Sequence, residues 1–246
     1  MIKFSLIVAS VAFTVSANAV TFMNVEKTDG TTVRYEVDNV EEVYFTDSTT
    51  TITNDGEIDG FAFVDLGLPS GLKWAMFNIG ATNALEVGDF FAWGETEPKK
   101  DYTRDSYIWT AENSTFSKYF GGEVLDPDLT LEKEDDAATV LWGDSWRMPT
   151  KKELDELAKN CDWTFTNDYN ELGISGYVGI SKLNGEVIFV PSCGYMYKDT
   201  QSRAADSYIW SSTVTATGKQ AYVAINATIV KLNYRYYGAN IRPVSM

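Results

Sequence analysis

The chain has 246 residues, 44% of them hydrophobic and 14% aromatic, enough apolar surface for a packed core and too much for wholesale disorder. A formal charge of −15 repels phosphate backbones and anionic lipid, which excludes nucleic acid as a partner of the bulk surface. There is no histidine, so the usual general base, the commonest zinc ligand and any Ser–His or Cys–His nucleophile pair are missing.

The first residues, Met1-Ile2-Lys3, an apolar run from Phe4 to Val15 and then Ala17-Asn18-Ala19, have the form of a secretory signal peptide over 1–19. This run has no cysteine for lipid attachment and no second long apolar run follows it. The mature chain is therefore expected to be soluble and exported to the periplasm, the cell surface or the medium, without membrane insertion. Residues 20–47 read as a small β segment in which Val20–Val25 and Val33–Val37 flank Asp29-Gly30, a hairpin signal, with Val43-Tyr44-Phe45 as a third run. Residues 48–60, rich in Thr, Asp and Gly, read as a linker to a main domain over 61–246.

In the main domain, Phe61–Ala75 is expected to form two strands about the turn Pro69-Ser70-Gly71, and Gly88–Glu95 a buried aromatic strand. Residues 96–134 show no periodicity and read as a long irregular region. Asp136–Trp142 reads as a helix stopped by Gly143. The following corner, Trp142 to Thr150, organises the chain. Pro149 forces Met148 out of helical geometry, Thr150 and Glu153 form a T-x-x-E capping box, and Leu154, Leu157 and Ala158 give the new helix one apolar face. Arg147 is expected to be a structural clamp donating to loop carbonyls, and Trp74, Trp93, Trp142, Trp146 and Pro149 to be structural as well.

Strands are then expected at 174–181 and 186–190 about Leu183-Asn184-Gly185, and at 192–197, 208–213, 221–226 and 231–236. Gly238–Val244 is expected at a sheet edge, because Pro243 cannot donate to a ladder. Helices set among many short antiparallel strands indicate an α+β domain. The two cysteines, Cys161 and Cys193, can either join as a disulfide in an exported chain or remain free.

Six motifs follow one another in a recognisable order: Val64–Ala75, Asn78-Ile79-Gly80-Ala81, Phe91-Ala92-Trp93-Gly94-Glu95-Thr96, Trp146-Arg147-Met148-Pro149-Thr150, Tyr208-Ile209-Trp210-Ser211-Ser212-Thr213 and Gly238–Val244. With them, 61–246 resembles the Fibrobacter succinogenes major paralogous domain of exported Bacteroidetes proteins, which is grouped with the C-type-lectin-like fold. Residues 20–47 are similar to the β segment that often precedes such domains. The resemblance implies a domain whose first and last strands pair, whose two helices flank antiparallel sheets and whose long loops present a surface. It implies no defined activity.

Three functions are weighed. In the first, the domain is a non-catalytic binding module for a glycan or a surface protein. Its ligand residues are drawn from Tyr208, Trp210, Asn226, Asn233, Tyr234, Arg235, Tyr236, Tyr237 and Asn240, with alternate aromatics turned into the core and no cofactor expected. The second is a calcium-dependent lectin, but Glu97-Pro98-Lys99 puts a cation where such lectins need an amide, and Trp142-Gly143-Asp144 lacks their asparagine. The acidic runs Asp126–Asp128 and Glu132–Asp136 are read as solvated surface, with a structural calcium as the alternative. The third is enzymatic. Arg147–Thr150 is similar to a turn in formylglycine-generating enzymes, but Cys161 and Cys193 do not match their late copper-binding pair, and no nucleophile–base constellation can be named. The expectation is therefore of no enzymatic activity.

Overall fold

The computed structural model describes residues 22–26, 30–37, 51–112, 115–120 and 129–246. The expected signal peptide, the run Val43–Phe45 and the acidic stretch Asp126–Asp128 lie outside the described residues. The chain divides into two compact units, Met1–Ser48 and Thr49–Met246. In the first, β1 (Phe22–Glu26) and β2 (Thr32–Glu36) pair antiparallel with Val25 opposite Val33, and the Arg34 guanidinium lies 3.5 Å from the centroid of the Phe22 ring.

The second unit is α+β, with four antiparallel sheets and two short α-helices among the described residues. It opens with β3 (Gly56–Ile58), β4 (Phe61–Val64) and β5 (Lys73–Ala75). The stretch expected as a linker thus carries a strand. Ile58 pairs with Phe61 across a two-residue loop, Asp59-Gly60, in which both residues have positive φ (50° and 83°), the geometry a tight hairpin demands. After the irregular region come α1 (Ala137–Trp142) and α2 (Lys151–Asn160). Next are β6 (Cys161–Thr166), β7 (Gly176–Ser181) and β8 (Val187–Pro191), which form one sheet in that order. β9 (Tyr195–Tyr197) and β10 (Thr200–Ser202) form a small hairpin. β11 (Tyr208–Val214), β12 (Gln220–Ile225) and β13 (Ile229–Tyr234) form a third sheet. Finally β14 (Val244–Ser245) joins β5, completing the order β14-β5-β4-β3. No helix among the described residues is long and apolar enough to cross a membrane.

Two expected strands take a different form. Around Gly88–Glu95 the aromatic residues Phe91 and Trp93 are fully buried, but the backbone makes only the single bridge Phe91–Ala239 instead of a ladder. Gly238–Val244 does end at a sheet edge, since β14 closes the order β14-β5-β4-β3, but it is not exposed there, because Val244 also bridges Arg147. It is buried throughout and stitched to separate segments by the bridges Met196–Gly238, Phe91–Ala239 and Ile209–Asn240. Pro243 donates nothing, yet its carbonyl accepts from Ala75 N at 2.9 Å.

The corner between the helices holds together through side chains from both sides. Thr150 and Glu153 form the reciprocal capping box of α2, and Leu154 and Leu157 bury its apolar face. Asp136 caps α1, accepting from Ala138 N and Thr139 N, and reaches across to Met148 N at 2.9 Å. Asp135 accepts from the Tyr119 hydroxyl and from Lys118. The run Glu132–Asp136 is therefore solvated, as expected, only over Glu132–Glu134; its last two carboxylates are buried and spent inside the fold. Burial pushes the Asp136 carboxyl up, and the three amides pull it partly back. An irregularity in β11 between Trp210 and Val214 frees Ser212 N to donate to Pro149 O at 2.7 Å, which docks the corner on the sheet.

Arg147 differs from the expected carbonyl clamp. It makes one bond to a carbonyl, that of Met148, and a fork of 2.6 and 2.7 Å to Glu153, while its side chain stays 38% exposed. The fully buried arginines are Arg235 and Arg242. Arg242 Nε donates to Asn78 Oδ1 at 2.8 Å, Nη1 to Ala75 O and Met76 O, and Nη2 to Phe189 O. Burial pushes its pKa down to about 9, which still leaves the guanidinium charged at neutral pH. Cys161 and Cys193 are both free and buried, so the disulfide does not form. The Cys193 thiol is instead spent on Asn240 Oδ1, at 2.6 Å.

Two outcomes test this ranking. Arg242→Ala strands four acceptors, three of them buried, and is expected to cost roughly 4 kcal/mol or more, read from urea midpoints, whereas Arg147→Ala, screened by solvent, is expected to cost about 1 kcal/mol. Equal losses would overturn it. Burial alone would raise the Glu153 carboxyl, but its bonds from Arg147 and Thr150 outweigh that and hold it below the usual range. The stability it contributes is therefore complete above its unfolded-state pKa and is lost as pH falls through its folded-state value. Glu153→Gln should lower stability at neutral pH and flatten its fall in acid; an unchanged acid limb would count against the assignment.

Candidate functional site

The structure separates the nine residues singled out in the late strands. Tyr208, Trp210, Arg235 and Asn240 are buried and cannot line a ligand surface. The Trp210 indole donates to Phe91 O at 2.8 Å, and Asn240 Nδ2 donates to Asp89 O at 2.9 Å. Asn226 sits at φ 57° in the turn after β12, where it accepts from Ser207 N and donates to Asp206. Asn233 is half-buried and its Oδ1 accepts from Tyr234 N. These roles are structural. Tyr234, Tyr236 and Tyr237 remain at the surface.

Arg235 explains why those three tyrosines face outward. It is fully buried between them, its guanidinium carbon 4.7 Å from the ring centroids of both Trp93 and Phe116 and 5.4 Å from that of Tyr107. Its Nε donates to the Tyr107 hydroxyl, and Nη1 donates to Lys118 O and Gly218 O. Gly218 is at φ 67°, and a Cβ there would lie 2.0 Å from Tyr119 O, so the close approach that offers this carbonyl needs glycine. The Tyr237 N–H donates to Tyr234 O at 3.0 Å, closing a turn over Tyr234–Tyr237. With Arg235 as an inward peg, the remaining side chains of Tyr-Arg-Tyr-Tyr form one surface.

A second element completes it. Met196 and Gly238 exchange two backbone hydrogen bonds, 2.8 and 2.9 Å, which bring β9 alongside the turn. Met196 packs against the cluster that contains Tyr102 and Tyr107, and its neighbours Tyr195 and Tyr197, two apart on the strand, both meet Tyr237, Tyr195 resting also on the main core and Tyr197 lying exposed. The result is a cluster of five rings centred on Tyr237: Tyr195 stacks on it at 5.2 Å and 7°, Tyr197 tilts against it at 5.0 Å, and Tyr234 and Tyr236 meet it edge-on at 5.4 and 5.1 Å. Tyr234 and Tyr236 also stack on each other. Tyr197 and Tyr234 are the most open, at 40% and 47% exposure. Sequence reading missed Tyr195 and Tyr197, although the pattern Tyr-Met-Tyr in an expected strand was the signal for them.

The hydroxyls divide in the same way. The buried Tyr102, Tyr107 and Tyr119 donate to Phe90 O, Trp93 O and Asp135 respectively. Among the described residues, none of the five clustered hydroxyls meets a protein partner. Burial first, then the neighbouring phenols, pushes the Tyr237 pKa up to about 12. The same causes raise Tyr236, with Arg104 pulling it back. No carboxylate contributes to either shift.

Other chemistry is sparse. No group of three or more metal-ligating side chains occurs among the described residues. Burial raises the thiols of Cys161 and Cys193 to about 11 and about 12, which makes both poor nucleophiles at neutral pH. An open cleft of about 410 Å³ lies between Ile58, Asp144, Ser145, Arg147 and the C-terminal residues, but the Arg147 fork facing it is engaged by Glu153. If the hydroxyl at the centre of the tyrosine cluster is structurally unused, Tyr237→Phe should leave the melting temperature unchanged while Tyr237→Ala costs about 2 kcal/mol through lost packing; a destabilised phenylalanine variant would show a missing internal bond. No family model matches the chain, and no similar protein was found among curated proteins or solved structures.

Proposed function

We propose that the chain is an exported, non-catalytic recognition module that presents a C-type-lectin-like domain to a glycan or protein at the bacterial cell surface. The observation that carries this reading is the tyrosine cluster: five rings from two segments, held in register by backbone bonds and a buried arginine, with their hydroxyls unengaged. Tyrosine combines a rigid apolar face with a polar tip at low conformational cost, which suits recognition surfaces. A stability role does not need this arrangement. Tyr195, Tyr236 and Tyr237 contribute packing, but Tyr197 and Tyr234, 40% and 47% exposed, gain little from burial, and the core beneath already contains four fully buried tryptophans.

The C-type-lectin-like assignment rests on the ordered motifs and on an architecture in which the last strand returns to pair with an early one, Val244 opposite Trp74. The pairing involves β5 rather than the first strand of the unit. Export rests on the form of residues 1–19. The calcium-lectin alternative is weakened by Asp135 and Asp136, whose oxygens are engaged by Lys118, Tyr119 and backbone amides. The test is photo-crosslinking of intact producing cells with a probe residue at position 197, compared with one at exposed Lys133 on the same unit. Adducts confined to position 197 support the reading; equal labelling at both, or none at 197, overturns it.

A further inference from the structure

We propose that the ligand of the tyrosine cluster is a neutral polysaccharide, bound along its length and without calcium. This rests on the reading of the cluster as a recognition site and specifies what occupies it. Area supplies the first argument. Taking about 250 Å² for a full tyrosine side chain, two rings exposed by 40% and 47% and three half-buried ones present at most roughly 500 Å². A stable protein interface needs about 800 Å² from each partner. A run of a few sugar rings is well matched to the smaller area.

Shape supplies the second argument. Neither of the two clefts described on the unit, one beside Arg147 and one beside Glu95, is lined by the five rings, and the most open of these, Tyr197 and Tyr234, lie at the surface of the cluster. A site that recognises a single sugar or a chain end has to surround it, whereas a platform accepts an internal stretch of polymer lying across it. Because the rings stack on and abut one another, a pyranose meets an outermost ring, Tyr234 with 47% exposure being the most open, and the free hydroxyls at the ring edges are placed to bond sugar hydroxyls.

Charge supplies the third. The chain is strongly acidic, so polyanions are repelled at long range. Phenols raise the Tyr236 and Tyr237 hydroxyls and Arg104 lowers that of Tyr236, while Asp206 acts on Tyr208, the ring beneath Tyr195; the Lys198 ammonium is 5.6 Å from the Tyr197 centroid. Arg104 is turned to the Phe116 ring and to Thr115 O; Lys198, exposed over the Tyr197 ring, is the cation beside the cluster whose contribution the acidic polymers and the high-salt arm below read out. Asp199, adjacent in the turn, accepts from Thr200.

The test is affinity electrophoresis and pull-down of the mature chain against insoluble and soluble neutral polysaccharides (cellulose, xylan, mannan, starch) and acidic ones (pectin, alginate), each with EDTA and at low and high salt. Retention on a neutral polymer, insensitive to EDTA and salt, is expected. Tyr197→Ala and Tyr234→Ala should each weaken it about 5- to 10-fold with an unchanged melting temperature, while the Phe variants at both positions stay within about 3-fold of the parent. Retention only on acidic polymers, loss with EDTA, or retention indifferent to both Ala variants would overturn the proposal. So would no retention on any polymer. In that last case, a protein adduct at position 197 in the cell crosslinking would keep the recognition reading while rejecting the polysaccharide.

Discussion

A guanidinium removed from water has to find acceptors for its donors, and in this protein that requirement governs the placement of the C-terminal third of the chain. Arg242 gathers Asn78, the carbonyls after β5 and the carbonyl of Phe189 in β8 around one side chain. No carboxylate is among these partners. The charge is stabilised by oriented backbone dipoles, and burial depresses its pKa without neutralising it at neutral pH. Because the acceptors come from segments far apart in sequence, the charge can be accommodated only once those segments have assembled. The run Gly238–Ser245 therefore acts as a buried seam, bridging in turn to β9, to the segment around Phe91 and to β11, and ending as the edge strand that pairs with β5.

Arg235 repeats the device at the other end of that run. It does so incompletely: Nε and Nη1 reach the Tyr107 hydroxyl, Lys118 O in the irregular region and Gly218 O in the turn before β12, while Nη2 has no acceptor among the described residues, and aromatic faces lie over the guanidinium. The irregular region lacks regular secondary structure but is braced through this contact, through Tyr107 onto Trp93 O and through Tyr119 onto Asp135. A peg of this kind fixes which way its neighbours point. Alternation about one buried arginine turns Tyr234 and Tyr236 to the same side, and the turn adds Tyr237.

Local chemistry was the part most legible in the sequence. The capping box at Thr150 and Glu153, the end of α1 at Gly143 and the buried indoles follow from rules that involve a few neighbouring residues. What escaped depended on partners distant in the chain. Arg147 and Arg242 look equivalent as letters, yet one finds a carboxylate six residues away at the surface while the other finds carbonyls more than fifty residues away in the core. Asp135 and Asp136 end a charge run that reads as solvated, and only the fold shows that Tyr119 and Met148 meet them. The hairpin at Asp59-Gly60 was legible in principle, since the dipeptide is a turn signal; a composition rich in Thr and Asp masked it.

The candidate site illustrates the same division more sharply. Residues of one type in one tail, Tyr208 and Tyr234 among them, end on opposite sides of the surface because their strands differ in what covers them. Both end the sheet β11-β12-β13, but β11 is covered on its outer side by the bridges Ile209–Asn240 and Thr130–Thr213 and is buried at every position, whereas β13 is an open edge strand with exposed residues along it. Composition points to the right tail but cannot choose between its strands. Pairing decides, since the bridge between Met196 and Gly238 is what recruits Tyr195 and Tyr197 and leaves Tyr208 beneath them, in edge contact with Tyr195 at 5.0 Å. The cluster therefore has a buried layer and an open layer of the same residue. The buried layer fixes the rings above it in place, so their faces are set before any ligand arrives, and the entropy that a flexible aromatic surface would lose on binding has already been lost in folding.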